Sequence, residues 1–364
     1  MKVLVTGPDL YGKGGVSVYL NSVLPYLKKF CDVDYLQVGK KKDEKFYFIK
    51  DQINFYKKLK NNNFDLIHIN PSLNLKSFIR DGLLAFQAKK LKKKLLVFFH
   101  GWDKNFENLI DNNLILQKFF KTTFGKADAF IVLASDFKEK LIKWGIDAPI
   151  FLETTTLEDS LLKDFDIYKK LQEINSIQKF NFLYLARLEK DKGIIEAIEI
   201  FEYLRKNGIK GKLIIAGDGP AKNLMLERIL KSAYKNDIRY VGFVTGDKKK
   251  KLLENAHIYL LPTYEEGLPT SVLEAMFFGC FIITTNVGGL KDLWKKHKWG
   301  ICLGKDDIKN SNLILKKISE YIEFIKNIFF LRKYMLSNHN FAKNNFNPNF
   351  IAKKVMKIYN QCVR

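Results

Sequence analysis

The sequence predicts an α/β protein built from two doubly wound, Rossmann-like domains. The chain has 364 residues, more than one ordinary hydrophobic core accommodates. Short apolar runs alternate with segments of helical periodicity, a pattern typical of parallel sheets covered by helices on both faces. This alternation occurs twice, on either side of a polar stretch at residues 154–179. We therefore expect two parallel sheets joined by a linker that contains a short helix.

The short apolar runs give the strands of each domain. In the first half we predict strands at residues 3–6, 34–38, 66–69, 95–99, 129–133 and 150–152. In the second half we predict strands at residues 182–185, 213–216, 238–241, 258–261 and 281–284.

These predictions divide the chain into an N-terminal domain at residues 1–165, a C-terminal domain at residues 166–340 and a tail at residues 341–364. We interpret the tail as a turn region followed by one helix. That helix either caps the second domain or crosses back to the first.

Composition limits the kinds of binding partner and the cellular location that we expect. The formal net charge is +23, yet only seven of the 62 basic residues are arginine, the preferred residue for reading guanine, and we expect no nucleic-acid partner. The lysine excess fits solvated faces and peripheral association with an anionic membrane equally well. Four dispersed cysteines without a Cys-x-x-Cys pair predict free thiols in a reducing cytosol. With no apolar run of about 18 residues and a strand at the N-terminus, we expect a cytoplasmic protein without signal peptide or membrane span.

A glycine-rich segment at residues 7–17 follows the first strand and leads into a helix. Glycines there let backbone amides approach an anion near a helix N-terminus. The spacing resembles a P-loop, but Gly14 stands where Ser or Thr must hold magnesium, and the third glycine of a dinucleotide fingerprint is missing. We favour a loop that faces a phosphate or sugar, with plain turn chemistry as the alternative.

Polar residues follow two other strands. His100 ends the fourth strand, where parallel sheets bind ligands, and it either contacts a sugar hydroxyl or is a satisfied strand-end residue. Arg187 lies just past the first strand of the second domain, and Lys192 lies beside the next helix. Two cations at a strand-to-helix turn can clamp a diphosphate, whereas a solvated turn is the alternative.

The segment 261–276 is the most informative in the chain. Pro269 fits the first turn of a helix, which leaves nearby amides free to meet an anion. Glu266 lies in the loop ahead of this helix, and Glu274 lies inside it among apolar residues, where an unsatisfied charge is costly. Because carboxylates accept paired hydrogen bonds from vicinal hydroxyls, we expect both acids to face a ribose or a hexose.

With these motifs in order, the sequence resembles the large retaining glycosyltransferase family four (glycosyl transferases group 1), of the GT-B fold. The resemblance covers most of the chain and is strongest at residues 180–294. Its most specific mark is the pair Glu266 and Glu274, within Glu-Gly-Leu-Pro and Leu-Glu-Ala-Met. It implies two Rossmann-like domains facing across a cleft, with the acceptor on the N-terminal side and a nucleotide-sugar donor on the C-terminal side.

The resemblance also implies roles for individual residues. Arg187 and Lys192 would bind the diphosphate, Glu266 would contact the donor sugar, and Glu274 would hold the ribose. We take Glu266, Arg187, Lys192 and His100 as the catalytic residues. The predicted nucleotide-sugar contacts are Gly14, Gly15, Gly217, Val244, Gly267, Leu268, Pro269, Thr270 and Glu274.

The resemblance implies a hexosyltransferase that needs no metal or cofactor. Our hypothesis for the acceptor, which suits a basic, soluble enzyme on the cytosolic side, is a glycan or lipid-linked acceptor in bacterial surface polysaccharide or glycoconjugate synthesis. Asp32 and Asp34 match the Asp-x-Asp letters of metal-dependent transferases, but they precede an ordinary second strand. Two alternatives stay open. One is a sugar-nucleotide epimerase or phosphorylase of the same fold, and the other is a non-catalytic protein that only binds nucleotide-sugars.

Overall fold

The computed structural model describes residues 1–12, 14–39, 46–174 and 179–364. Lys13, in the middle of the glycine-rich segment, and part of the predicted linker lie outside these ranges. The chain forms two compact units. The first comprises residues 1–158 and 347–364, and the second comprises residues 159–346. The domain boundaries at residues 165 and 340 stay sequence predictions.

The described strands, in chain order, are β1 (Lys2–Gly7), β2 (Asp32–Gln37), β3 (Leu66–Ile69), β4 (Ser72–Leu73), β5 (Lys94–Phe99), β6 (Gly101–Trp102), β7 (Ala129–Val132), β8 (Ile150–Leu152), β9 (Phe180–Leu185), β10 (Gly211–Ala216), β11 (Ile238–Tyr240), β12 (Ile258–Leu261), β13 (Phe281–Thr285) and β14 (Gly300–Leu303).

The described α-helices, in chain order, are α1 (Gly15–Leu27), α2 (Tyr47–Asn61), α3 (Leu75–Lys90), α4 (Lys104–Asp111), α5 (Leu114–Thr122), α6 (Ser135–Lys143), α7 (Ile167–Glu173), α8 (Ile194–Lys206), α9 (Lys222–Leu230), α10 (Gly246–Asn255), α11 (Thr270–Phe277), α12 (Gly288–Lys296), α13 (Ser311–Ser319), α14 (Ile322–Lys326), α15 (Ile328–Asn345) and α16 (Pro348–Val363).

The first unit is a parallel sheet with helices on both faces. Its strand order is β2-β1-β3-β5-β7-β8, and β4 pairs with β6 beside it. The chain moves from β1 to β2, then returns past β1 to β3. Right-handed crossovers in opposite directions place α1 and α2 on opposite faces of the sheet. The central strands are buried on both faces, which explains why they are continuous apolar runs in the sequence.

Helix α16 belongs to the first unit, where it packs against α1, β3 and β5. A buried hydrogen bond of 2.7 Å joins its Tyr359 hydroxyl to Nδ1 of His68 on β3. Lys354 of the same helix pairs with Glu153 at 2.9 Å. The turn before this helix lies at residues 346 and 347, whereas the sequence suggested a turn from residue 341. Helix α15 continues to Asn345 because it stays amphipathic and packs against α11.

The second unit is also a parallel, doubly wound sheet, with the order β11-β10-β9-β12-β13-β14. Strand β14 pairs with β13 and was not expected from the sequence. The chain runs outward from β9 to β10 and β11, then returns to the other side of β9 to form β12. The predicted fold class of two Rossmann-like α/β domains is confirmed. Among the described residues, no helix is both long and apolar enough to cross a bilayer.

Candidate active site

The direction of the chain reverses between β9 and β12 in the second unit. In open parallel sheets, ligands bind beyond the carboxyl ends of the strands at such a reversal, because the two connecting loops diverge there. The loop after β9 carries Arg187 and Lys192, and the loop after β12 carries Glu266. Topology therefore brings the residues predicted from two distant motifs to one edge of one sheet.

Backbone contacts hold these two loops together. The amide of Tyr264 donates to the carbonyl of Asp191 at 2.8 Å, and the Thr263 hydroxyl donates to the same carbonyl at 3.1 Å. The close approach requires glycine at position 193, where φ is +69° and a Cβ would lie 1.9 Å from the Pro262 carbonyl oxygen. The two loops form a single layer at the end of the sheet.

Lys192 and Glu266 form an ion pair in this layer. The ammonium nitrogen of Lys192 lies 3.1 Å from Oε1 of Glu266 and donates a hydrogen bond of 2.7 Å to the carbonyl of Glu265. Both side chains are mostly buried. Burial raises the pKa of the Glu266 carboxyl, and the adjacent ammonium group opposes that rise. The pair places one cation and one carboxylate where a charged ligand would lie.

Glu274 lies in the second turn of α11 and is almost completely buried. Its Oε1 atom pairs with Nζ of Lys249, on α10, at 2.8 Å. The sequence analysis missed Lys249, which sits in a run of four lysines at residues 248–251. Lys249 lies four residues before the buried Leu253 and so faces inward with it, but the sequence alone does not show which face of this helix is buried. Helix α10 follows the loop that contains Val244, so this pair joins that loop to the Glu274 carboxylate.

In the sequence, the N-terminus of α11 lies between the two paired carboxylates, Glu266 and Glu274. Pro269 is the N-cap residue, one position before the helix, and its side chain makes no capping hydrogen bond. Gly267 approaches α12 closely, with the amide of Gly289 donating to the carbonyl of Gly267. A Cβ on Gly288 would lie 1.8 Å from the Glu266 carbonyl oxygen, so only glycine permits this contact. These contacts hold the N-terminal end of α11 beside Glu266.

Other residues predicted to bind the nucleotide-sugar lie at the same edge of the sheet as this layer. Arg187 is 75% exposed and pairs with Glu189 at 2.9 Å, so its guanidinium group is accessible to a ligand. Gly217 follows β10, and its amide donates to the carbonyl of Gly242 at 2.9 Å. Val244 is partly buried and lies just before α10. These residues follow β9, β10 and β11, which are adjacent strands, at the same edge of the sheet.

In the first unit, Gly14 and Gly15 lie at the start of α1, and both are exposed. Gly14 is the N-cap residue, and a Cβ at either position would meet no atom of the described residues within 4 Å, its chain neighbours aside. The loop therefore has open space in front of the helix N-terminus. This geometry suits an anionic or polar ligand, as the sequence suggested.

His100 is partly buried at the end of β5, beside the Tyr19 and Phe98 rings. Its Nε2 atom lies 2.8 Å from Oδ1 of Asn70, whose amide group donates to the carbonyl of Thr6 at 2.9 Å. Because that second bond orients the amide, Nε2 of His100 must donate and Nδ1 is left as an acceptor. Burial keeps the pKa of the imidazole well below its ordinary value, with a smaller effect from His68.

The two aspartates of the Asp-x-Asp pattern lie at the start of β2. Asp34 forms an ion pair of 2.8 Å with Lys58. Within the part of the chain that the structure describes, no cluster of three or more His, Cys, Asp or Glu side chains has an arrangement suited to a metal ion.

The comparisons with known proteins identify the class. Residues 167–323 match the family model described as Glycosyl transferases group 1. The amylovoran biosynthesis glycosyltransferase AmsK of Erwinia amylovora is 24% identical over 248 residues, which are 66% of this chain and 59% of that protein. An alpha-1,4-N-acetyl-D-galactosaminyltransferase of Campylobacter jejuni is 28% identical over 187 residues, covering 50% and 49%. The matched segments thus span about half to three fifths of the length of these two relatives.

Solved structures resemble the chain over its full length. A glycosyltransferase from Rickettsia africae has a TM-score of 0.73 and 17% identity, covering 100% of this chain and 98% of that one. HepE of Anabaena, in complex with UDP-glucose, has a TM-score of 0.71 and 15% identity, covering 99% and 100%. The predicted GT-B fold is confirmed. The match to a glycosyltransferase family model at residues 167–323 supports the predicted class over that part of the chain.

Proposed function

We propose that the chain is a retaining hexosyltransferase of family four. It moves a sugar from a nucleoside diphosphate sugar to a glycan or lipid-linked acceptor, in the synthesis of a bacterial surface polysaccharide or glycoconjugate. The observation that carries this proposal is the Lys192–Glu266 pair, held beside the N-terminus of α11 where the second sheet reverses direction.

The cations at this site suit the breaking of a glycosyl–diphosphate bond. As that bond breaks, negative charge develops on the phosphate oxygens of the leaving group. Lys192, the accessible Arg187 and the amides at the start of α11 are positioned in advance to stabilise this charge. We therefore propose that transfer requires no metal ion or cofactor.

The carboxylates suit the sugar parts of the donor. We propose that Glu266 accepts hydrogen bonds from hydroxyls of the transferred sugar and that Glu274 accepts them from the ribose. Supporting this division, Lys249 joins Glu274 to the helix that follows the Val244 loop, and we place the base against that loop. HepE of Anabaena, which shares the fold, is in complex with UDP-glucose.

We assign acceptor binding to the first unit. The open loop at Gly14 and Gly15 can approach a sugar or phosphate, and His100 presents Nδ1 as an acceptor for a hydroxyl group. The curated relatives are named for amylovoran biosynthesis and for a glycan on PP-undecaprenol. A polysaccharide intermediate or a glycan on a lipid diphosphate is therefore the acceptor class we propose.

We propose that the anomeric configuration is retained by attack from the same face that the diphosphate leaves. In this route the leaving phosphate takes the proton of the acceptor hydroxyl, so the protein supplies charge stabilisation and no nucleophile. Lys192 stabilises the oxygen that receives the charge, and Glu266 orients the sugar. Proton nuclear magnetic resonance of the glycoside product, whose anomeric configuration is stable, measures the configuration directly, and an inverted product would contradict this route.

The experiment for the activity itself compares transfer by Arg187→Ala, Glu266→Ala and the matched control Lys190→Ala. We expect each of the first two substitutions to lower turnover about 100-fold or more, because each removes an interaction that strengthens in the transition state. Lys190 is exposed on the same loop and its variant should retain activity. Circular dichroism checks that all three proteins are folded. Normal turnover by Arg187→Ala or Glu266→Ala would refute the proposed site.

Incubation with the donor alone separates the alternative functions. A sugar-nucleotide epimerase converts its donor without an acceptor, whereas a transferase only hydrolyses it slowly. A phosphorylase needs inorganic phosphate in place of a nucleotide. A protein that binds the donor in calorimetry and converts it under none of these conditions would be the non-catalytic alternative.

A further inference from the structure

Three helices on one face of the first unit, α2, α3 and α5, expose large apolar side chains. Right-handed crossovers place these helices on the face of the sheet opposite α1. Helices α2 and α3 are joined by a hydrogen bond of 3.1 Å from Gln52 to the carbonyl of Arg80. Helices α3 and α5 meet where the ring centroids of Phe78 and Phe119 lie 5.1 Å apart. The three helices therefore form a continuous layer.

The outward side of this layer repeats apolar residues at helical spacing. Leu114 and Ile115 at the start of α5 are 81% and 79% exposed. The exposed apolar side chains of the other two helices are Ile49, Ile53, Tyr56, Leu75, Ile79 and Phe86. Single exposed apolar residues are ordinary on a protein surface, but an extended group on adjacent helices marks an interaction site. We call these eight residues with the lysines between them the basic apolar face.

Charge on this face has one sign. The exposed lysines between the apolar side chains are Lys50, Lys57, Lys76, Lys90, Lys118 and Lys121. The three helices, all within the described residues, contain two acidic residues, Asp51 and Asp81, and both are buried. Asp51 accepts a hydrogen bond of 2.7 Å from the amide of Gly39, and Asp81 binds Ser77 and Arg80 at 2.6 to 2.7 Å. The acids point into the protein, so the outward surface is apolar and cationic.

We propose that the basic apolar face binds the surface of an anionic lipid bilayer. Its composition matches that of helices that lie in the membrane interface, with apolar side chains entering the boundary layer and lysines meeting anionic headgroups. A protein partner of ordinary surface composition carries charges of both signs, so it would match this face of one sign less well than an anionic lipid surface does. The binding is peripheral, and it concentrates the enzyme where a lipid-linked acceptor would be found. This membrane-binding proposal rests on the composition of this surface and not on the proposed transfer reaction.

The two kinds of side chain contribute separately, and this gives the test its power. Each lysine near an anionic surface contributes roughly a five-fold increase in the partition coefficient at low salt, and salt screens it. The apolar contribution does not require anionic lipid and is not screened. Removing lysines should therefore lower the preference for anionic vesicles, whereas removing apolar side chains should weaken binding on every vesicle.

The experiment is sedimentation of the whole chain with vesicles, without donor or acceptor. The vesicles contain either phosphatidylcholine alone or equal parts of phosphatidylcholine and phosphatidylglycerol. The apolar variant combines Ile53→Gln, Ile79→Gln and Ile115→Gln. A control variant combines Leu230→Gln and Phe329→Gln, two apolar side chains of the second unit that are 72% and 73% exposed. All these positions are on the surface, so each protein should fold.

A lysine variant, with Lys57→Gln, Lys76→Gln and Lys118→Gln, completes the set. We expect the wild-type chain to bind the anionic vesicles and to dissociate as salt rises. The apolar and lysine variants should each bind at least ten-fold more weakly, and the control variant should bind as the wild type does. Absence of wild-type binding would overturn the proposal, as would an equal loss in the control. So would size-exclusion chromatography showing that the apolar variant dissociates an oligomer, because the face would then bind a second copy. Sugar-transfer assays do not depend on vesicle binding, so failure of the proposed function and failure of the proposed membrane binding can be told apart.

Discussion

Replacing Lys192 by methionine keeps the length of the side chain and removes the ammonium group that lies 3.1 Å from the Glu266 carboxylate. Breaking a buried ion pair from one side typically costs about 3 to 5 kcal/mol of the free energy of unfolding. Here the two side chains retain 18% and 14% exposure, so water partly replaces the lost partner. We expect a loss of about 2 to 3 kcal/mol at neutral pH.

Protonation of Glu266 sets an upper limit on that loss. For a carboxyl group with an ordinary pKa of about 4.3, protonation costs about 4 kcal/mol of free energy at pH 7. Near pH 5 the same protonation costs only about 1 kcal/mol. Burial already raises the pKa of Glu266, and the variant lacks the cation that opposes this rise. A folded-state pKa above the unfolded value makes stability fall as pH rises through that range. The penalty should therefore be largest at neutral pH and small near pH 5.

Urea titrations of the wild type and Lys192→Met at several pH values measure this difference in the free energy of unfolding. Lys190→Met, an exposed lysine on the same loop, is the matched control and should change stability by less than about 0.5 kcal/mol at every pH. An equal loss at both ends of the pH range would refute the ion-pair account. So would a loss as large in the Lys190 variant.

Three further predictions concern single positions. Gly193→Ala should lower the free energy of unfolding by about 3 kcal/mol or more, since it adds left-handed backbone strain and places a Cβ 1.9 Å from the Pro262 carbonyl oxygen. The control Gly208→Ala, with φ of +89° and no atom within 4 Å of the new Cβ, should lower it by only about 1 kcal/mol. Equal losses of the two variants in urea titrations would contradict the close approach at Gly193. Lys249→Met should weaken donor binding at least ten-fold in calorimetry and lower stability by about 3 kcal/mol, because its carboxylate partner is buried, whereas the exposed Lys251→Met should do neither. In nuclear magnetic resonance titrations, the midpoint of His100 in the folded protein should lie well below its ordinary value of about 6.5. Stability should fall as pH drops below about 6.5, because the unfolded imidazole binds the proton; a midpoint near 6.5 in the folded protein would show that it is solvated.

The two sheets could be predicted because each central strand is buried on both faces and therefore appears as a continuous apolar run. Strand β14 could not, since it is a four-residue strand at the edge of the sheet, where it pairs with β13, and so short an apolar run is not distinctive in the sequence. The position of α16 was also undetermined. Its apolar stripe fits any apolar surface, and only the tertiary packing selects α1 and β3.

At the candidate site, the sequence predicted which residue types matter and which loops carry them. Lys192 and Glu266 are 74 positions apart, and the strand order that makes β9 and β12 neighbours brings them together. Lys249 could not be distinguished from the three lysines around it without knowing which face of α10 is buried. The roles assigned to these residues stay predictions, because they depend on the ligand.

The return of α16 to the first unit has a consequence for biosynthesis. The first unit is encoded in two pieces, and its last helix leaves the ribosome only after all of residues 159–346 have been made. Until then, the surface of α1 that α16 covers is exposed to water and open to association with other nascent chains. The second unit is continuous and can fold while synthesis proceeds, so of the two units the one whose synthesis starts first is completed last.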